Sequence, residues 1–316
     1  METYRIGIDL GGTNIAAGLV NEAKELVDTV SVKTNIPRPI EAIADDMAQL
    51  VRTLTERNGL MDAQIAAVGV GVPCTANEEN GHMEDANNLG FDDVPLRELL
   101  EARLGREIHL GNDANVAAWG EYKTGPYPED SFLMVTIGTG IGGGIILNGK
   151  LWTGINYAAG EFGHMTIRQD GPECTCGRRG CFEALGSATA LICSAREAMA
   201  GDPATLLWKL CEGQPDRVEA KTVFDGAAAG DEACQRLLDE YTTILAEGFA
   251  NLINIFQPAY LCIGGGVSKA GDALLAPLRE KTRERIYSKN AQRNTRIVLA
   301  RLDNDAGILG AALLEK

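Results

Sequence analysis

The apolar runs at residues 4–10, 15–20 and 26–32 predict three strands, the first two joined by a Gly-Gly-Thr-Asn turn. Residues 40–58 carry helical periodicity, and Gly59 suits a C-terminal cap. Residues 65–72, IAAVGVGV, are almost continuously apolar, as in a strand buried on both faces. Residues 73–91, rich in Asn, Glu and Gly, read as loop. A helix over 96–104 and a strand over 107–110 then deliver Gly-Asn-Asp-Ala-Asn to a helix over 114–122.

At 125–130 the composition turns to Gly, Pro and acid, and the pattern begins again. A strand over 132–137 meets the glycine loop GTGIGGG and returns over 145–147, so that residues 135–147 can be laid over 6–18. Two copies of strand, glycine turn and strand suggest a duplicated fold. Helices follow over 182–200, 203–211 and 222–230. A longer one over 231–256 aligns Leu237, Leu238, Tyr241, Leu245, Phe249, Leu252 and Ile253 on one face, and Pro258 stops it. A buried strand over 259–263 runs into a third glycine turn, and helices over 271–287 and 304–314 flank a strand over 296–300.

Composition narrows the field. The 316 residues suffice for two domains, and 44 acidic against 29 basic residues give a net charge of −15 with no Lys/Arg cluster. That argues against a nucleic-acid surface, which needs a positive footprint, but not against phosphate held by backbone N–H groups. The longest uncharged run, residues 131–149, holds too many glycines to span a bilayer, so no membrane partner is expected. The opening METYRIGIDL lacks the charged-then-apolar pattern of a secretory signal, and five of eight cysteines are scattered without disulfide-scaffold spacing. A reducing cytoplasm is the expected location.

The remaining three cysteines carry chemistry. Residues 161–183 read EFGHMTIRQDGPECTCGRRGCFE, placing His164, Cys174, Cys176 and Cys181 in the order H-x9-C-x-C-x4-C within turn-forming sequence. Three thiolates and an imidazole match a closed structural zinc site; the competing reading is three cysteines meeting by chance in an irregular loop. Glu161 and Glu183 bracket the segment as solvated charges or as acceptors for a polyhydroxylated ligand. Asn112 and Asp113 stand before a helix, where such residues are ordinarily caps. Each glycine turn is by itself a weak phosphate signal.

The run C-x-C-G-x-x-G-C-x-E from Cys174 to Glu183, with E-x-G-H at 161–164, resembles the signature of the ROK family of sugar kinases, and the likeness extends over nearly the whole chain. It implies an α/β, duplicated actin-like or ribonuclease-H-like ATPase fold of two domains with an active-site cleft between them. The smaller domain would comprise residues 1–124, rejoined by 304–316; the larger, 125–303, would carry the zinc loop 164–181. ATP phosphates would lie between Gly11, Gly12, Thr13 and Gly138, Thr139, Gly140, with Gly265 and Gly266 along the adenosine and Asp9 acting on Mg2+ through water. Asn112, Asp113, Glu161, His164 and Glu183 would line a hexose pocket. Asp113 would be general base, and His164 would place one ring nitrogen on Zn2+ and the other toward a sugar hydroxyl.

The reaction implied is ATP-dependent phosphorylation of glucose at C6. Fructose, mannose, N-acetylglucosamine, N-acetylmannosamine and allose are alternative acceptors, and a homo-oligomer, dimer or tetramer, is the expected assembly. The rival roles are a sugar-responsive transcriptional regulator and a non-catalytic sugar-binding protein. One departure from the family's pattern is Cys74, where many members have Gly after Val-Pro.

Overall fold

A computed structural model describes residues 2–86 and 89–315. In chain order the elements are β1 (Tyr4–Leu10), β2 (Asn14–Val20), β3 (Leu26–Lys33), α1 (Ile40–Arg57), β4 (Ile65–Val72), β5 (Thr75–Asn77), β6 (His82–Ala86), β7 (Phe91–Val94) and α2 (Leu96–Leu104). Next come β8 (Ile108–Asn112), α3 (Asp113–Thr124), β9 (Phe132–Ile137), β10 (Ile141–Leu147), β11 (Lys150–Leu151), α4 (Phe182–Gly186), α5 (Ala188–Gly201), α6 (Leu207–Leu210) and α7 (Ala220–Ala228). The chain closes with α8 (Glu232–Phe256), β12 (Tyr260–Gly264), α9 (Asp272–Arg285), β13 (Arg296–Leu299) and α10 (Ala306–Ala312). The chain has the α/β, two-domain actin-like ATPase fold. No helix among the described residues is long and apolar enough to cross a membrane.

The chain divides into two compact units, one of residues Met1–Asp130, Gly144–Gly160 and Arg301–Lys316, the other of Ser131–Gly143 and Glu161–Ala300. In the first, five strands run in the order β3-β2-β1-β4-β8, with β1 antiparallel to β2 and parallel to β4. Helix α1 buries Ile43, Met47, Leu50, Val51 and Leu54, which join Ile6, Ile8, Val68 and Val70 in one core. Helix α10 meets the strands backbone to backbone: a Cβ on Gly7 would lie 1.8 Å from the Ile308 carbonyl oxygen, and one on Gly310 would lie 1.8 Å from that of Val116 in α3. Glycine is needed there for close approach, not for turning.

In the second unit β9, β12 and β13 are parallel neighbours. Helix α8 presents Tyr241, Leu245, Phe249, Leu252 and Ile253 as its buried face, and Phe249 meets Phe182 edge-on at 6.3 Å.

Three local readings give way. Residues 73–91 are not all loop: β5, β6 and β7 form a small antiparallel sheet that buries Met83, Ala86 and Val94. Its strands are too short and polar to stand out as a pattern, and residues 87 and 88 lie outside the described residues. Glycines 142–144 belong to strand β10 rather than to the turn; a Cβ on Gly143 would strike the Phe162 ring at 2.2 Å. The helix expected over 182–200 breaks at Ser187, whose hydroxyl caps α5 by accepting from the Ala190 N–H.

Candidate functional site

In the first unit the chemistry gathers at the carboxyl ends of β1, β4 and β8. The turn after β1 is closed by the Gly11 N–H donating to Asn14 O at 2.9 Å and is anchored by Thr34, whose hydroxyl donates to Gly11 O at 2.6 Å. A Cβ on Gly12 would meet nothing within 4 Å. The space around Gly12 leaves room for an anion to approach the turn. Asp9 lies one residue before the strand's end, beneath Gly307 of α10. Burial, and secondarily the charge of Asp113, raise its carboxyl from 3.8 to about 6.

Asn112 ends β8 and Asp113 opens α3, and the two divide the work. Asn112 is the cap: its Oδ1 accepts from the Ala114 N–H at 3.0 Å and the Asn115 N–H at 3.1 Å. Its Nδ2 donates to Cys74 O at 3.2 Å and to Asp113 Oδ1 at 3.1 Å. Both lone pairs and both amide hydrogens of Asn112 are thereby used. Asp113 shares the Ala114 N–H, accepting it at 2.7 Å through the same Oδ1 that Asn112 bonds. Burial raises its pKa above the ordinary carboxylate value, while the hydrogen bonds from Ala114 and Asn112 pull against the rise. A carboxylate of heightened basicity held by one oxygen is the form a general base needs. The Cys74 thiol is pushed up to about 12 by burial and then by Asp113, so it presents itself as a neutral, buried wall.

In the second unit the turn after β9 is held from three sides. Gly138 N–H donates to Gly140 O, the Ala188 N–H at the start of α5 donates to Gly138 O, and the Thr189 hydroxyl donates to Thr139 O at 2.7 Å. The break at Ser187 brings the start of α5 to the turn. Glu183 Oε2 accepts from the Ile141 N–H at 2.8 Å and lies 2.3 Å from where a Gly140 Cβ would stand. A side chain at Gly140 would displace the Glu183 carboxylate. Gly265, at φ +80°, packs against the Ile137 carbonyl, so the glycine turns after β9 and β12 are neighbours. Sequence reasoning placed Glu183 toward a sugar and missed its bond to the turn. A carboxylate distant in sequence leaves no local signal of such a brace.

The zinc reading meets a geometric test. One ligand atom from each of His164, Cys174, Cys176 and Cys181 lies within 4.8 Å of all the others. His164 Nδ1 is 3.6 Å from Cys174 Sγ, and Cys176 Sγ is 3.7 Å from Cys181 Sγ, far from disulfide bonding. Zinc bonds of about 2.3 Å to sulfur and about 2.0–2.1 Å to nitrogen set tetrahedral edges of about 3.8 Å (S–S) and about 3.6 Å (S–N). The donor set fits. Without a metal, burial and the neighbouring thiols push Cys181 up to about 12, whereas the Arg178 backbone hydrogen bond lowers Cys176. With Nδ1 facing the thiols, His164 directs Nε2 toward Glu161, 4.0 Å from its Oε2.

Comparison with known proteins agrees with the fold described above. The ROK family model matches residues 5–316. A glucokinase of Streptomyces coelicolor is 36% identical over 98% of this chain and 97% of its own length. An N-acetylmannosamine kinase of Salmonella paratyphi A is 31% identical over 98% and 97%. Among solved structures, a ROK family glucokinase from Streptomyces griseus, in complex with glucose and AMPPNP, superposes with a TM-score of 0.82 at 34% identity, covering 98% of each chain.

Proposed function

The chain belongs to the ROK family, and from that footing we propose that it is an ATP-dependent hexokinase that phosphorylates glucose at the C6 hydroxyl. The observation that carries the reading is the division of labour at the head of α3. Asn112 is the cap, accepting from two N–H groups. Asp113 shares one of them through a single oxygen and stays half-buried, raised in pKa and with its other oxygen uncommitted to the helix end. A helix cap alone would not need a carboxylate beside the Asn112 amide.

The sugar hydroxyl approaches the free edge of Asp113, which takes its proton as the oxygen attacks the γ-phosphorus; the electron pair of the breaking P–O bond leaves on ADP. A positioned base of this kind is typically worth on the order of 10² to 10⁴ in rate. Most of the remaining acceleration comes from alignment and charge stabilisation, as in phosphoryl transfer generally. The exposed turn at 11–13 and the braced turn at 138–140 offer backbone N–H groups to phosphate oxygens, and Gly265 and Gly266 offer a side-chain-free surface to the adenosine. Magnesium, when bound with ATP, would neutralise phosphate charge and be held through water by Asp9.

Glu161, His164 and the free Oε1 of Glu183 are the hexose contacts in the second unit. A zinc ion on His164, Cys174, Cys176 and Cys181 would fix the imidazole tautomer with the proton on Nε2, ready to donate to a hydroxyl. Zinc takes no part in the transfer in this reading; its task is to order the hexose contacts of the second unit. Three cysteine ligands kept reduced also suit a reducing cytoplasm.

Glucose is favoured over N-acetylated sugars because the acceptors are many, while the wall beside Asn112 and Asp113 is the buried Cys74. The likeness to N-acetylmannosamine kinases is the observation behind the second reading. The discriminating experiment is kcat/KM for glucose, mannose, fructose and N-acetylmannosamine at fixed ATP and magnesium. Glucose should lead, and a clear preference for N-acetylmannosamine would replace the first reading with the second.

A further inference from the structure

The second unit carries a cleft that none of the roles above uses. It has a volume of about 480 Å³ and is walled by α9, β13 and the end of α8. It opens beside Tyr260 and Arg296, where β12 and β13 begin, whereas the glycine turns follow the other ends of the same parallel strands. Four of its lining residues are cationic, Arg279, Arg283, Lys289 and Arg296, and none is a carboxylate. In a chain with 44 acidic and 29 basic residues, that is a local inversion of charge.

The four cations are not equivalent. Arg279 is held by Ile297 O, to which Nε and Nη2 donate at 2.9 and 2.6 Å; Arg296 donates to the Tyr260 hydroxyl at 2.9 Å. Arg283 and Lys289 are exposed and make no ion pair or hydrogen bond among the described residues. Glu280 and Glu284 lie on the adjoining hollow, and Arg285 takes Glu284 at 3.6 Å.

A second observation is independent of charge. Thr282 lines the cleft at 1% exposure, and its Oγ1 has no hydrogen-bond partner. A helical threonine readily donates to the carbonyl four residues back, as Thr242 does to Leu238 O at 2.7 Å. Thr282 does not, although an unpaired buried hydroxyl is unfavourable. Beside it Ile253, Ile286 and Val298 form an apolar wall. Two free cations, an unsatisfied hydroxyl and an apolar wall make a recognisable set.

We propose that this cleft binds a small phosphorylated metabolite bearing hydroxyl groups, with its phosphate between Arg283 and Lys289, a hydroxyl on Thr282, and its carbon skeleton against Ile253 and Ile286. Phosphate supplies the opposite charge for the two cations, and a hydroxyl on the attached carbon skeleton reaches Thr282 while the phosphate stays on Arg283 and Lys289.

The test is methyl NMR on protein carrying 13C-labelled isoleucine δ1 methyl groups, titrated with inorganic phosphate and with glycerol 3-phosphate. Saturable shifts of the Ile253 and Ile286 methyls are expected with both, and glycerol 3-phosphate should bind more tightly. Ile141, beside the glycine turn, reports binding there separately. Reversing both charges, Arg283→Glu with Lys289→Glu, should weaken both ligands by about tenfold or more, equivalent to about 1.4 kcal/mol. Thr282→Val should abolish only the advantage of glycerol 3-phosphate. Unmoved Ile253 and Ile286 methyls in the parent protein at millimolar ligand would overturn the proposal without recourse to any variant. Shifts that persist unchanged in a folded charge-reversed protein would overturn it too.

Discussion

Replacing Asp9 by Asn should stabilise the unliganded protein while removing its activity. Asp9 sits under Gly307 with its carboxyl raised from 3.8 to about 6, chiefly by burial and then by Asp113. At about 1.4 kcal/mol for each tenfold change in proton affinity, that rise corresponds to about 3 kcal/mol. The sign follows from proton uptake. The folded state holds its proton to higher pH than the unfolded state, so folding loses stability as pH climbs from about 4 to about 6 and no further above that. The amide of the Asp9→Asn variant keeps the shape and carries no charge. Its advantage over the parent should be near zero at about pH 4 and approach about 3 kcal/mol above pH 6. Urea denaturation across this range, without nucleotide or magnesium, measures the difference directly. Asp113→Asn should move the same window toward acid, since the Asp113 charge is the second cause of the shift. An Asp9→Asn variant less stable than the parent at neutral pH, or an advantage that does not shrink in acid, would refute the reasoning.

Purified active protein should contain one zinc per chain, and a chelator that strips it should abolish turnover while leaving most of the helical circular dichroism; active protein without zinc would contradict the tetrahedral reading of His164, Cys174, Cys176 and Cys181. Gly140→Ala should displace Glu183 from the Ile141 N–H. Turnover should then fall by about tenfold or more, the scale of about 1.4 kcal/mol of lost positioning, with a higher KM for ATP; parental kinetics would show that the brace is unnecessary. Asn112→Ala should destabilise the protein by about 1 kcal/mol or more, the ordinary worth of a cap, as read by urea denaturation; no loss would mean that Asp113 caps α3 after all.

Much of this was legible in the chain itself. Apolar runs located β1, β2 and β4, and H-x9-C-x-C-x4-C located four side chains that do converge. Five of the seven residues in the α8 stripe (Tyr241, Leu245, Phe249, Leu252 and Ile253) lie on its buried face, while Leu237 and Leu238 are only partly covered. What escaped was long-range. Gly7 and Gly310 look like ordinary small residues until α10, far away in sequence, is laid against β1 and α3. The glycines after Ile141 look like turn chemistry because their need, room for the Phe162 ring, is set by another segment. At the head of α3 the sequence allowed either Asn112 or Asp113 to cap, and hydrogen-bond geometry alone divides the roles. The brace from Glu183 to Ile141 spans 42 positions and has no periodicity to reveal it.

The central claim is that Asp113 removes the proton of the accepting sugar hydroxyl, and one kinetic comparison bears on it most directly. Asp113→Asn preserves size and leaves the Asn112 cap in place, so the fold and the sugar contacts should persist. With glucose, ATP and magnesium saturating, kcat should fall by about 10² or more while the KM for glucose changes only a few-fold. A kcat within a few-fold of the parent would contradict the account and leave Asp113 as a residue of the helix terminus alone.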